Sequence, residues 1–99
     1  MIIRGTTPTI IYTFKAVDPA EITVAYLTVK KGGAIVLEKD LSGASVGENT
    51  LAWTFTQADT LSVAGAAEIM LNWKLQDGTR GASLPTQATF APNHKDEVI

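Results

Sequence analysis

Apolar and polar residues alternate along most of this chain, and a period of two is typical of β-strands. The clearest case is Ala66–Gln76, where Ile69, Leu71, Trp73 and Leu75 share one face. The same pattern predicts further strands at Thr9–Lys15, Glu21–Lys30, Ala34–Lys39, Thr50–Thr56 and Thr79–Ala91. In the last of these, Gly81 and Pro85 predict an irregularity, because glycine and proline weaken a regular ladder.

Glu21–Lys30 differs from the other strands because both of its faces are fairly apolar. One face holds Ile22, Val24, Tyr26 and Thr28, and the other holds Thr23, Ala25, Leu27 and Val29. A strand of this kind is typical of the centre of a sheet with cover on both sides. We therefore predict a central strand here.

The segments between the strands contain turn signals. Gly32 and Gly33 predict a tight hairpin that uses positive φ angles, and Asp77-Gly78 predicts a type I′ hairpin. The segment Asp40–Asn49 is polar and rich in small residues, so we expect it to be the longest loop and the most mobile segment. Arg4–Pro8 predicts an extended lead-in, since Pro8 suits a strand start or an edge.

One short segment predicts a helical turn between two strands. Thr56 can cap its start, and Asp59 lies at the spacing of a capping box. Ser62–Gly65 ends it, so we expect a single turn. The expected role of Asp59 is to accept hydrogen bonds from backbone N–H groups at this corner.

Six or seven short strands with one helical turn predict an all-β, antiparallel fold, either a two-layer sandwich or a small barrel. We expect Trp53 and Trp73 to anchor its core. Residues 1–91 form the single predicted domain, because 99 residues leave no room for a second one. Residues 92–99 form a polar tail that is either loose or docked on a neighbouring molecule.

Charge and composition exclude several classes of partner. The net charge is −2 and no basic stretch is longer than Lys30-Lys31, so we expect neither nucleic acid nor membrane as a partner. The chain has no cysteine, no signal-peptide pattern after Met1 and no long apolar run. We therefore expect a protein that is made and used without classical secretion. Charged residues make up only 18% of the chain, a low share that favours self-association or a protein partner.

No set of residues predicts catalysis, a cofactor or a metal. His94 is the only histidine and lies in the polar tail, so we interpret it as a solvated residue. Asp40 and Glu48 flank the long loop, but the loop lacks the dense run of oxygen ligands that calcium loops show. The serines have no base other than His94. We therefore predict no catalytic, cofactor-binding or metal-binding residue, and no enzyme activity.

The aromatic residues leave one alternative open. Trp53, Trp73 and Tyr26 would be able to stack against a sugar, although their positions on apolar stripes favour packing in the core. Tyr12 lies nearer to an expected edge. An exposed aromatic of this kind would make the chain a carbohydrate-binding or cell-surface-binding module.

Several short motifs resemble one family. The opening Arg4–Thr9, the corner Phe55–Leu61, the pair Asn72-Trp73 before Asp77–Thr79, and the ending Asp96–Ile99 are similar to small proteins encoded among tail and baseplate genes of phages and prophages of Gram-positive bacteria. The match runs over nearly the whole chain. This resemblance implies a tail or baseplate context, in the virion or the bacterial host cytoplasm, and supplies no active site.

The order of strand, corner and strand also resembles an immunoglobulin-like β-sandwich, including the N-terminal domain of phage baseplate upper proteins. The chain departs from antibody domains because it has no cysteine pair, and Trp73 stands where those domains place a Tyr-x-Cys pattern. The resemblance implies a non-catalytic structural or adaptor module that acts through protein–protein assembly.

Overall fold

A computed structural model describes all residues, 1–99, as a mostly β protein with 52% strand and 11% helix. The strands are β1 (Ile2–Ile3), β2 (Thr9–Thr13), β3 (Ile22–Lys31), β4 (Ala34–Asp40), β5 (Ser45–Val46), β6 (Thr50–Thr54), β7 (Gly65–Leu75), β8 (Arg80–Ala82) and β9 (Thr86–Ala91). The helix α1 spans Gln57–Leu61, and two 3-10 turns span Pro19–Glu21 and Leu41–Gly43.

The strands form two sheets. The larger sheet has the order β1-β9-β7-β3-β4, with β8 paired to β7 beyond the end of β9, and the smaller has the order β2-β6-β5. All pairs are antiparallel except β1 with β9. The predicted all-β class is confirmed, and the predicted antiparallel pairing holds for every pair except β1 with β9. The predicted number of strands is wrong: there are nine, because β1 and β5 have only two residues each and show no period.

The predicted strand Thr79–Ala91 is divided into β8 and β9, close to the expected irregularity. Ser83 binds β7 with both its backbone and its side chain: its backbone N–H donates to the Leu71 carbonyl at 2.8 Å, and its Oγ accepts from the Leu71 N–H at 2.9 Å. The chain then leaves the strand conformation, and Leu84 is exposed before Pro85. The backbone N–H and carbonyl of Leu71 in β7 therefore keep hydrogen-bond partners at the point where the segment leaves the sheet.

The core lies between the two sheets. Its buried apolar residues are Ile22, Ala25, Leu27, Val29, Leu51, Trp53, Phe55, Val63, Ala67, Ile69, Leu71 and Phe90. Trp53 anchors the core as predicted and is only 1% exposed. Trp73 is half-buried and packs edge-on against Phe14, with the ring centroids 5.1 Å apart. A Cβ on Gly81 would lie 2.4 Å from the Trp73 ring, so the absence of a side chain there makes room for the indole.

Strand β3 is central, as predicted, but only one of its faces is covered. A register shift between Ile22 and Val24 moves Ile22 onto the core side, together with Ala25. Val24 and Tyr26 remain on the outer face of the larger sheet, where each is about two-fifths exposed. Two apolar faces along one strand therefore do not by themselves show that both are packed inside the same molecule.

The two glycine turns differ from each other. Gly32 and Gly33 have φ angles of 59° and 83°, which confirms the predicted hairpin. The predicted type I′ turn at Asp77-Gly78 is wrong, because no residue other than glycine has a positive φ. The loop has three residues, with Gly78 donating to the Leu75 carbonyl and Leu75 donating to the Thr79 carbonyl. Only Gly78 then needs a positive φ, which is 90°.

The segment Asp40–Asn49 contains more structure than the predicted loop. A 3-10 turn begins after Asp40, whose carboxylate accepts the N–H of Ser42 at 3.1 Å, and β5 follows. The Nε1 atom of Trp53 donates to the carbonyl of Asp40 at 2.9 Å. The turn is thus tied to the core by a side chain 13 positions later in the chain.

The predicted capped turn is confirmed at α1. Asp59 N–H donates to the Thr56 hydroxyl at 3.1 Å, and Thr56 N–H donates to the Asp59 carboxylate at 2.8 Å. The sequence did not predict the third partner of Asp59, which is the Lys39 ammonium group at 2.8 Å. This ion pair joins the corner, which follows β6 of the smaller sheet, to β4, an edge strand of the larger sheet.

The Lys39–Asp59 pair makes the stability of the fold depend on pH. Partial burial acts to raise the pKa of Asp59, but hydrogen bonds from Lys39 and Thr56 outweigh it and hold the pKa below its ordinary value. A carboxyl with a lowered pKa in the folded state stabilises the fold above the unfolded-state pKa of about 4. This contribution is lost as pH falls through the folded-state pKa.

We expect Asp59→Asn to lower the free energy of unfolding by about 1 kcal/mol near neutral pH, and by much less in acid. Urea unfolding between pH 7 and pH 2.5 measures the difference between the two proteins. Glu48→Gln, at an exposed turn position without an ion pair, is the control. A difference that stays constant over this pH range would contradict the assignment.

The C-terminal tail, residues 92–99, contacts its own domain. Asp96 forms an ion pair with Arg4, and the Asn93 side chain donates to the Arg4 carbonyl at 2.8 Å. The Gln57 carboxamide binds the backbone of Ile99, accepting its N–H at 2.8 Å. The tail therefore runs along the N-terminal segment to the first turn of α1.

Candidate interaction surfaces

The residues considered for chemistry do not converge in the fold. No group of three or more histidine, aspartate or glutamate side chains is placed to hold a metal ion. His94 is exposed in the tail and Glu48 is exposed at a turn. Ser42 lowers the pKa of Asp40 by hydrogen bonding to its carboxylate, so this group serves the local turn. The fold also offers several open surfaces and grooves.

The aromatic residues divide into structural and exposed ones. Trp53 is used in the core. Tyr12 faces the interior from β2 and is half-buried; burial raises its pKa, although a hydrogen bond with Ser83 acts in the opposite direction. Tyr12 therefore offers little free ring surface to a ligand. Tyr26 is the more exposed tyrosine, at 43%, and lies on the outer face of the larger sheet.

A shallow cleft of about 170 Å³ opens beside Tyr26. We call it the Tyr26 cleft, and its lining residues are Val24, Tyr26, Asn72, Trp73, Lys74 and Arg80. The strands set this group, because Tyr26 is paired with Asn72, Val24 with Lys74, and Lys74 with Arg80. Arg80 donates to the Asn72 carboxamide oxygen at 3.2 Å.

The Tyr26 cleft has a positive side. Neither Lys74 nor Arg80 forms an ion pair within the chain, and the lining contains no carboxylate. On the other side of Tyr26, a recess of about 220 Å³ reaches Asp40 and Ser42. An apolar ridge thus lies between two cations and one carboxylate, an arrangement that suits contact with a polar polymer or another protein.

A second groove, of about 290 Å³, follows the open side of the sandwich between β2 and β9. We call it the seam groove, and it is lined by Met1, Ile2, Ile10, Ile11, Tyr12, Ile69, Thr86, Gln87 and Ala88. It has no charged side chain. Its walls come from β2, an edge strand of the smaller sheet, and from β1, β7 and β9 of the larger sheet, and no hydrogen-bond ladder joins the two sheets.

A third groove, of about 450 Å³, lies at the start of α1. Thr7, Phe55, Gln57 and Val98 are among its lining residues, so the chain's own tail forms part of its wall. The exposed ends of Val98 and Ile99 continue this surface. The groove is wide and open, and it is formed by the packing of the tail.

Sequence patterns missed most of these surfaces. They placed Tyr12 nearer to an expected edge than the other aromatics, whereas the packing of the two sheets turns Tyr12 inward and leaves Tyr26 exposed. The one available signal was the second apolar face of Glu21–Lys30, which the structure leaves open.

None of the helices has the length and apolar character needed to cross a lipid bilayer. Comparison with known protein families, with curated proteins and with solved structures finds no match to this chain.

Proposed function

We propose that this chain is a non-catalytic structural or adaptor module of a phage tail or baseplate, and that it acts by protein–protein assembly. One observation supports this most directly: the apolar side chains outside the core lie on open strand edges and open sheet faces. They include Ile11, Val24, Tyr26, Ile35, Val36 and Val46. Exposed apolar surface of this kind marks interaction sites, and the sequence resemblance supplies the phage context.

The finer part of the proposal is an immunoglobulin-like sandwich. The orders β2-β6-β5 and β9-β7-β3-β4 correspond to the B-E-D and G-F-C-C′ sheets of a variable-type immunoglobulin domain. On this interpretation α1 occupies the corner between strands E and F. The chain departs from antibody domains because it has no cysteine, so the two sheets are held together by core packing and by non-covalent links such as the hydrogen bond from Trp53 to Asp40.

Assembly is tested with the tail and baseplate proteins encoded next to this chain. We expect the purified protein to co-sediment with at least one of them, and Tyr26→Ala with Val24→Ser to weaken that complex at least tenfold if the outer face is used. Thr89→Ala, at an exposed position of β9 distant from the Tyr26 cleft, is the control. If the protein binds none of these products and virions lacking it keep normal tails, the proposal is wrong.

A carbohydrate-binding function is the second candidate, because the Tyr26 cleft combines an exposed aromatic ring with Asn72, Lys74 and Arg80. Aromatic rings stack on sugars, and the two cations favour an acidic one. We expect acidic cell-surface glycans to bind at millimolar concentration and Arg80→Ala to abolish the binding. An absence of glycan binding at that concentration would remove this candidate and leave assembly.

A further inference from the structure

We propose that β2 is a self-pairing edge, through which two copies of this chain join their smaller sheets around a two-fold axis at Ile11. In the dimer the sheet order would become β5-β6-β2 followed by β2-β6-β5 of the second copy. The inference rests on the proposed assembly function and specifies which surface and which partner it uses.

The first support is the set of unpaired backbone groups along β2. This strand pairs only with β6. Phe14 N–H donates to the Asn49 carbonyl, and Phe55 N–H donates to the Pro8 carbonyl. Hydrogen bonding alternates along an antiparallel ladder, so even-numbered residues face β6. Thr9, Ile11 and Thr13 therefore point their N–H and C=O groups at the open edge.

The second support is the sequence of the strand, Thr-Ile-Ile-Tyr-Thr, which is nearly the same when read in reverse. An antiparallel copy centred on Ile11 sets Thr9 against Thr13, Ile10 against Tyr12, and Ile11 against itself. The threonines face threonines and the larger side chains face each other, and no charge faces a like charge. A two-fold interface requires this self-complementarity.

The third support is the absence of protection on this edge. Natural edge strands avoid pairing by being short, charged, bulged or interrupted by proline. β1 and β5 have two residues and β8 has three. β4 has a register shift and ends in the charged run Glu38–Asp40. β2 has five residues in unbroken register without a charge, and its central Ile11 is 62% exposed.

The seam groove explains what the interior side of the new pair would contact. Ile10 and Tyr12 already line this groove. Placing the second copy's Tyr12 opposite Ile10 covers the groove's open side with apolar surface. The two seam grooves then meet at the axis, and each copy shields the apolar lining of the other copy's groove from water.

The size of the contact sets its strength. Five paired residues extend about 17 Å, which buries less than the roughly 1,000 Å² of a stable interface. We therefore expect a weak dimer with a dissociation constant in the range of about 10 µM to 1 mM. Such an affinity suits an assembly in which many contacts act together.

Sedimentation equilibrium over this concentration range tests the proposal. We expect the weight-average mass of the wild-type protein to rise towards that of a dimer. Ile11→Lys and Ile11→Glu should each stay monomeric, because each sets two like charges against each other at the axis. An equimolar mixture of these two variants should associate again, since it pairs a lysine with a glutamate.

Ile35→Lys is the matched control, an exposed isoleucine on the edge strand β4, and it should dimerise like the wild type. Circular dichroism confirms that the variants fold. A wild-type protein that stays monomeric at 1 mM, or an Ile11→Lys variant that still dimerises, would overturn the inference. A monomer that still binds tail proteins would overturn this edge alone and keep the proposed assembly function.

Discussion

Trp53→Ala is expected to destabilise the fold by about 3–5 kcal/mol, which is a large part of the 5–15 kcal/mol that holds a typical domain together. The side chain is buried between the sheets. Its removal leaves a cavity that neighbouring strands, fixed by their ladders, fill only in part. It also removes the hydrogen bond to the Asp40 carbonyl. Urea unfolding measures the change in the free energy of unfolding. In thermal unfolding we expect Tm to fall by about 20 °C.

Trp53→Phe separates the two contributions. Phenylalanine keeps most of the apolar contact but has no N–H group for Asp40, so we expect a loss of about 1–2 kcal/mol. In this variant the 3-10 turn Leu41–Gly43 should exchange its amide hydrogens faster than in the wild type. A cost below about 1 kcal/mol for Trp53→Ala would show that the two sheets do not pack around this side chain.

Arg4→Ala is expected to cost about 2–4 kcal/mol, the second largest effect, because its guanidinium group joins three parts of the chain. Its Nε donates to the Val63 carbonyl at 2.9 Å, and a terminal nitrogen donates to the Leu61 carbonyl at 2.6 Å. The other terminal nitrogen pairs with Asp96. Hydrogen bonds from a charged donor to partly buried carbonyls are stronger than neutral ones. Thermal and urea unfolding measure this loss.

Two further variants identify which Arg4 contact matters. Asp96→Ala removes only the more exposed ion pair, so we expect a cost below 1 kcal/mol. Arg4→Lys keeps the charge but loses the planar fork, and should recover less than half of the stability. An equal cost for Asp96→Ala and Arg4→Ala would show that the tail contact, and not the carbonyl contacts after α1, carries the effect.

Thr60 shows why such contacts escape a reading of the sequence. Its hydroxyl accepts the Gly5 N–H at 2.9 Å and donates to the Thr6 carbonyl at 2.8 Å, and the residue is fully buried. Together with Arg4 it fastens the N-terminal segment to α1. The partners are more than 50 residues apart in the chain, and no local pattern connects them.

The candidate surfaces were predictable in part. A low share of charged residues predicted self-association or a protein partner, whereas the second apolar face on Glu21–Lys30 predicted a strand covered on both sides. The position of the open apolar surface was not predictable, because burial depends on which sheet covers which face. Tyr12 and Tyr26 illustrate this, since both lie on alternating strands and only the packing of β2 over the larger sheet turns one inward.

The sequence by itself determined the local structure of this protein: the long strands, the Gly32-Gly33 hairpin, the capped turn at Thr56 and the break near Pro85. These depend on side-chain alternation and backbone preferences, which act within a few residues. The tertiary structure decided the rest, including the parallel β1–β9 pair, the single covered face of β3, the docked tail and the open edge of β2. Such features arise from contacts between distant segments, and their free energy depends on the geometry of the whole sandwich.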